Sequence, residues 1–166
     1  MIHVPAPDPF TVFGLPRSMD LDARTLERRY LQLSRECHPD QLRSQDVGDC
    51  LAVLQRAAEV NDAWKVLRDP WQRARALLEA NAPGVLERNK KLDPAFLTEA
   101  LDLAEEVAFA TGAAVAPLRE RLQQALADDL AVVAREIGRG AHDAAALRLH
   151  ASHYHRKALQ DLDQKA

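Results

Sequence analysis

The chain has 166 residues, 47% of them hydrophobic, which is enough for one substantial core or two small ones. Ala, Leu and Arg are the commonest residues, β-branched residues are sparse and aromatics make up only 5%, so strands have little to be built from and an all-α fold of two small units is expected. A formal net charge of −3 argues against general nucleic-acid binding, while the lack of a transmembrane-length apolar run or a basic-then-apolar leader leaves membrane insertion and export unsupported and a cytoplasmic location as the default.

Residues 1–9 hold three prolines and few apolar side chains, and a poorly ordered lead-in is expected there. The next stretch is a short apolar turn closed by Gly14 and Pro16, whose Phe10, Phe13 and Leu15 are placed to cap the hydrophobic face of the helices that follow. LDARTLERRYLQLSRECHPD, residues 21–40, is an amphipathic helix and its terminator. At about 100° per residue, Leu26, Tyr30, Leu33 and Cys37 share one stripe, and Arg24, Arg28 and Arg35 lie nearly opposite. Asp20 or Asp22 suits the N-cap, and Pro39 stops the helix near His38, before a polar loop of His38, Pro39, Asp40 and Gln41.

A third helix is expected over 47–68, antiparallel to the second, with Leu51, Leu54, Ala58, Trp64 and Leu67 supplying its packing. Asp69 and Pro70 break it, and Trp71 to Ala80 reads as a fourth with Ala74, Leu77 and Leu78 apolar. Asn81, Ala82, Pro83 and Gly84 form the strongest breaker cluster in the middle of the chain. We therefore divide the chain into a unit over 1–80, a linker over 81–93 and a second unit over 94–166. That second unit reads as three helices, about 94–111, 115–137 and 141–163, with Asp93 and Pro94 as cap and first turn and with Gly112, Gly138 and Gly140 at the turns. Short connections suggest an antiparallel bundle.

Several features each admit a plain structural reading beside a functional one. His-Pro-Asp, taken alone, is a helix terminator with an Asx-type turn. Cys37 and Cys50 match neither a CxxC pair nor a zinc framework, and Cys37 lies on the apolar stripe. His150 and His153 are three apart, but no cysteine or carboxylate completes a ligand set there, so these two and His155 are expected to face solvent, with no metal and no cofactor. In the helix from Pro94, a complete core stripe of Phe96, Ala100, Leu103, Val107 and Ala110 leaves Leu97 and Leu101 about 100° away, among Thr98, Asp102 and Glu105. That arrangement is either an apolar interaction patch rimmed by acids or a wide stripe that a neighbouring helix covers.

Taken together, a basic helix, a His-Pro-Asp loop and a second helix ending in VNDAWKVLRDPWQRA resemble the J domain, the module that activates DnaK-type chaperones. AFLTEALDLAEEV, residues 95–107, is similar to the signature of the HscB type, the dedicated co-chaperones of iron–sulfur cluster assembly, in which a J domain is joined to a C-terminal three-helix bundle. The resemblance covers almost the whole chain. It implies that His38, Pro39 and Asp40, with Arg24, Arg28 and Arg35, engage an HscA/DnaK-type chaperone and stimulate its ATPase. It also implies that Leu97, Thr98, Leu101, Asp102 and Glu105, with Tyr154, hold an IscU-type scaffold protein. Three positions depart from the family pattern: Gln41 stands where lysine is common, Thr98 where a larger apolar side chain is seen, and Phe109 where an acid occurs.

On this reading the protein is an adapter and performs no chemistry of its own. A competing reading keeps the J domain but has the bundle carry an unrelated client. An enzyme using His38 and Asp40 as an acid–base pair would need a nucleophile, a phosphate cradle or a full metal site, and the sequence supplies none beside them.

Overall fold

The computed structural model describes residues 7–38 and 47–165, and within them the chain is helical with no strand, as its composition leads one to expect. It separates into two compact units, Met1–Ala80 and Asn81–Ala166.

The first unit holds α1 (Pro9–Phe13), α2 (Ala23–Glu36), α3 (Val47–Arg68) and most of α4 (Pro70–Asn81). So short a helix as α1 cannot persist on its own hydrogen bonds. Its ends are therefore fixed from outside. The Asp8 side chain accepts from the Phe10 amide at 3.2 Å, Pro9 occupies the first turn, and Gly14 closes the helix in the left-handed region at φ 63°. Burial pushes the Asp8 carboxyl up, but hydrogen bonds from Thr11, Arg17 and the Phe10 amide, with the charge of Arg17, outweigh it and hold the group below its ordinary value. Two arginines then bind the carbonyls at the far end of α1. Arg29 of α2 donates from Nε to the Phe13 carbonyl at 2.8 Å, and Arg56 of α3 donates to the Val12 carbonyl at 3.3 Å. Phe10 and Phe13, wholly buried, are the wedge this arrangement holds against α2 and α3.

Asp22 is the N-cap of α2, accepting from the Thr25 amide at 2.8 Å. The expected stripe is inward: Leu26, Leu33 and Cys37 are buried, and Tyr30 stacks on Trp64 of α3 with ring centroids 4.6 Å apart while its hydroxyl donates to Asn61 at 3.0 Å. In α4, Ala74, Leu77 and Leu78 are buried as expected. Arg73 is buried with them, donating to the Leu67 and Met19 carbonyls at 2.8 Å each, so it ties the end of α3 to the segment preceding α2. Burial pulls its guanidinium below the ordinary arginine value, against the charges of Asp69 and Asp20.

The packing expected of α3 needs correction. Trp64 and Leu67 pack as read, but Leu51 and Leu54 are 65% and 59% exposed and Ala58 is exposed too. The inward row runs instead through Val53, Ala57, Val60, Trp64 and Leu67, alternating four- and three-residue steps. Leu54, Ala58 and Leu51 lie about 100–160° round the helix from that row. α3 is apolar on more than one side, and only the side that meets α1 and α2 is used.

The second unit holds α5 (Val85–Arg88), α6 (Pro94–Phe109), a 3-10 turn (Gly112–Ala114), α7 (Val115–Gly138) and α8 (His142–Asp163). α7 and α8 make the most extensive pairing, and α5 and α6 both pack on α8. The segment read as a linker thus carries α5, whose Val85 and Leu86 are buried. Asp93 caps α6 by accepting from the Ala95 amide at 2.7 Å, with Pro94 in the first turn. Val107, Ala110, Leu118, Leu122, Ala158 and Leu162 form one core cluster, with Leu103, Val115 and Leu159 packed on it.

These assignments separate two leucine-type positions from two aromatic ones in the first unit. Phe13→Ala should destabilise that unit by about 3–5 kcal/mol, whereas Leu54→Ala should change its stability by less than about 0.5 kcal/mol. Urea titration followed by Trp fluorescence measures both, and comparable losses would contradict the placement of Leu54 on the surface.

Candidate functional site

Two helix faces stand out, one in each unit, and each is what remains after the core stripe of its helix has been buried. In the first unit it is the outer face of α2. Arg24, Arg28 and Arg35 are all exposed, opposite Leu26 and Leu33. Arg28 donates to the Thr25 hydroxyl at 3.0 Å, which orients it along the helix without neutralising it. Arg24 and Arg35 have no ion-pair partner among the described residues. The helix closes at Cys37, and the exposed His38 follows, its amide donating to the Arg35 carbonyl at 3.2 Å. Pro39 and Asp40, the remainder of the tripeptide, lie outside the described residues. The Tyr30–Trp64 stack behind α2 joins the helix that carries the cationic face to α3.

In the second unit the face belongs to α6. Phe96, Ala100, Leu103, Val107 and Ala110 turn inward, and Leu97 and Leu101 remain 38% and 67% exposed. No helix of the unit covers Leu101, so the wide-stripe alternative does not describe it. Thr98, Asp102 and Glu105 are exposed beside the leucines. The Thr98 hydroxyl donates to the Pro94 carbonyl at 3.2 Å, so its polar atom is engaged within the helix. Tyr154 of α8 is half-buried, edge-on to Phe96 with ring centroids 5.5 Å apart. It lies against the core side of α6 more than beside the two leucines.

The histidines of α8 are not the solvent-facing set expected of them. His153 is exposed, but His155 is half-buried with Nδ1 2.7 Å from the Asp129 carboxylate, and His150 has Nε2 2.9 Å from the Leu86 carbonyl. Asp129 of α7 is itself buried and also pairs with Arg148 at 2.7 Å. One carboxylate thus grips two points of α8, six residues and one beyond Tyr154 in opposite directions along the helix. Nothing in the sequence marks it out, since the adjacent Asp128 sits on the surface accepting from Gln124. Among the described residues no group of three or more His, Cys, Asp or Glu is placed to share a metal ion, and no helix is long and apolar enough to cross a membrane.

The two faces of α6 make a stability test of the assignment. Leu101→Ala should change the unfolding free energy by less than about 0.5 kcal/mol, while Tyr154→Ala should cost at least about 1 kcal/mol through the lost packing on Phe96. Calorimetric unfolding that ranked the two the other way would place Leu101 in the core.

Comparison with known proteins gives a consistent picture. No family model matches the chain. Among solved structures, the chaperone HscB from Vibrio cholerae is 28% identical, with 95% of this chain and 96% of that one covered at a TM-score of 0.81. The human co-chaperone protein HscB is 24% identical and shares the fold at a TM-score of 0.85, over 98% of this chain and 83% of its own. The HscB resemblance carried by the His-Pro-Asp region and by residues 95–107 is therefore borne out by likeness over nearly the full length, and the all-α architecture with it.

Proposed function

We propose, from the premise that this chain is HscB-like in fold and sequence over nearly its whole length, that it is a co-chaperone joining two partners. Its first unit stimulates the ATPase of an HscA/DnaK-type chaperone, and its second delivers an IscU-type scaffold to that chaperone during iron–sulfur cluster assembly. The observation that carries this reading is that α2 and α6 each keep an exposed face opposite or beside their buried stripe, and the two faces differ in chemistry. α2 offers guanidinium groups, and α6 offers leucines edged by carboxylates.

Arg24, Arg28 and Arg35 suit long-range attraction to an acidic chaperone surface, which raises the association rate more than the final affinity. The His38-Pro39-Asp40 loop at the end of the same helix then makes the short-range contacts. Asp40 pairs with a chaperone cation, and because that pair forms only in the hydrolysis-competent state, it shifts the chaperone toward that state. On α6, Leu97 and Leu101 form the desolvated centre of the scaffold contact, Asp102 and Glu105 its charged margin and Thr98 one edge, with Tyr154 of α8 at another. The chain supplies positioning and no chemical step.

Single-turnover ATP hydrolysis by a DnaK-type chaperone, with and without scaffold, tests this directly. Asp40→Asn and His38→Gln should each abolish stimulation while leaving helical content and scaffold binding intact. Reversing the charge of Arg28 and Arg35 should lower the association rate by about tenfold or more at low salt, and raised salt should have the same effect on the unaltered protein. Stimulation that survived both loop substitutions would overturn the chaperone assignment, and a bundle that ignored an IscU-type scaffold would leave α6 for an unrelated client.

A further inference from the structure

α6 carries more exposed apolar surface than its two leucines. At about 100° per residue, Leu97, Leu101, Ala104 and Ala108 fall within about 60° of one another, and all four are exposed. A second exposed row, Thr98, Asp102, Glu105 and Phe109, runs beside them at steps of four, three and four residues. Its last member is the most exposed large apolar side chain of the described residues, Phe109 at 81%.

The end of the helix that carries that phenylalanine is tied to the end of the chain. The last carbonyls of α6 have no partner within the helix, and Lys165, beyond the end of α8, donates from Nζ to the Val107 carbonyl at 2.6 Å and to the Ala108 carbonyl as well. The ammonium group also complements the negative end of the helix dipole. Phe109 thus stands in water at a capped helix end, an expensive place for an aromatic ring with nothing in its own unit to cover it.

The charges around the stripe limit what covers it. α6 has four carboxylates, Glu99, Asp102, Glu105 and Glu106, and neither Lys nor Arg. Glu106 is paired with Arg121 of α7, but Asp102 and Glu105 have no partner among the described residues. A second copy of this chain docking stripe to stripe would bring those carboxylates toward their equivalents. A partner with an apolar strip and a cationic margin meets no such repulsion.

We infer that the scaffold-type partner of the proposed function contacts α6 along most of its length, from Leu97 through Ala104 and Ala108 to Phe109, about 18 Å at about 1.5 Å per residue, and that it presents an apolar pocket, not a cation, opposite Phe109. This rests on the reading of α6 as the scaffold face and deepens it. Phe109 acts as a specificity contact: it selects a scaffold whose surface is apolar at this end, and the lysine or arginine that suits an acid there is disfavoured.

Calorimetric titration of the full chain with the IscU-type scaffold encoded in the same genome tests the inference, with helical content and thermal midpoint as controls. Phe109→Ala should weaken binding at least tenfold, Phe109→Glu further, and Phe109→Trp should restore most of it. The Phe109→Ala loss should be the same at low and high salt, whereas the loss from Asp102→Asn should shrink as salt rises. Wild-type affinity in Phe109→Ala beside a large loss in Leu101→Ala would overturn the long, apolar contact while keeping α6 as the scaffold face. Tighter binding by Phe109→Glu would overturn it by pointing to a cation opposite. Unchanged binding in both Phe109→Ala and Leu101→Ala would remove the scaffold face itself, and this inference with it.

Discussion

A helix in a small bundle can bury only one side of its circumference, and that constraint organises both units. In α2 the side left over is cationic, which water accommodates at little cost, so the chain needs no partner to be stable there. In α3 and α6 the helices are apolar on more than one side, and packing decides which set is used. Leu51 and Leu54 on α3, and Leu97 and Leu101 on α6, are what remains. Surface of that kind has a cost in the free protein and a corresponding gain when a partner covers it.

Such faces recognise partners only if their helices are fixed in place, and here cations do much of the fixing. Arg29 and Arg56 hold the end of α1, Arg73 holds the end of α3, and Lys165 holds the end of α6, each donating to backbone carbonyls that have no partner within their own helix. A hydrogen bond from a charged donor is worth about 1.5–3 kcal/mol, and each of these also adds charge at the negative end of a helix dipole. In three of the four cases the donor comes from another helix, so capping and tertiary packing are one interaction. The Asp129 carboxylate does comparable work between α7 and α8 through Arg148 and His155.

How much of this the sequence discloses depends on how many faces of a helix are apolar. α2 has one, so Leu26, Leu33 and Cys37 could be placed from spacing alone, and the arginines opposite followed. α3 has several, and periodicity cannot choose among them; the choice is made by α1 and α2, which pack on the side that carries the Val53–Leu67 row. α5 spans only Val85–Arg88, too short to show a helical period, which is why its stretch reads as a linker. The Asp129 clamp escaped because a buried acid and a surface acid side by side, Asp129 and Asp128, look alike in a sequence. The chemistry of the His38-Pro39-Asp40 loop rests on the family resemblance, with only His38 among the described residues.

On the proposed function, two different partners use two different helices, α2 for the chaperone and α6 for the scaffold. Amide hydrogen exchange of the intact chain, measured by mass spectrometry with each partner alone, tests it most directly. The chaperone should slow exchange in α2 and the adjoining loop and leave α6 unchanged, and the scaffold should slow exchange in α6 and leave α2 unchanged. Protection of the same unit by both partners, or of neither helix by its assigned partner, would contradict it.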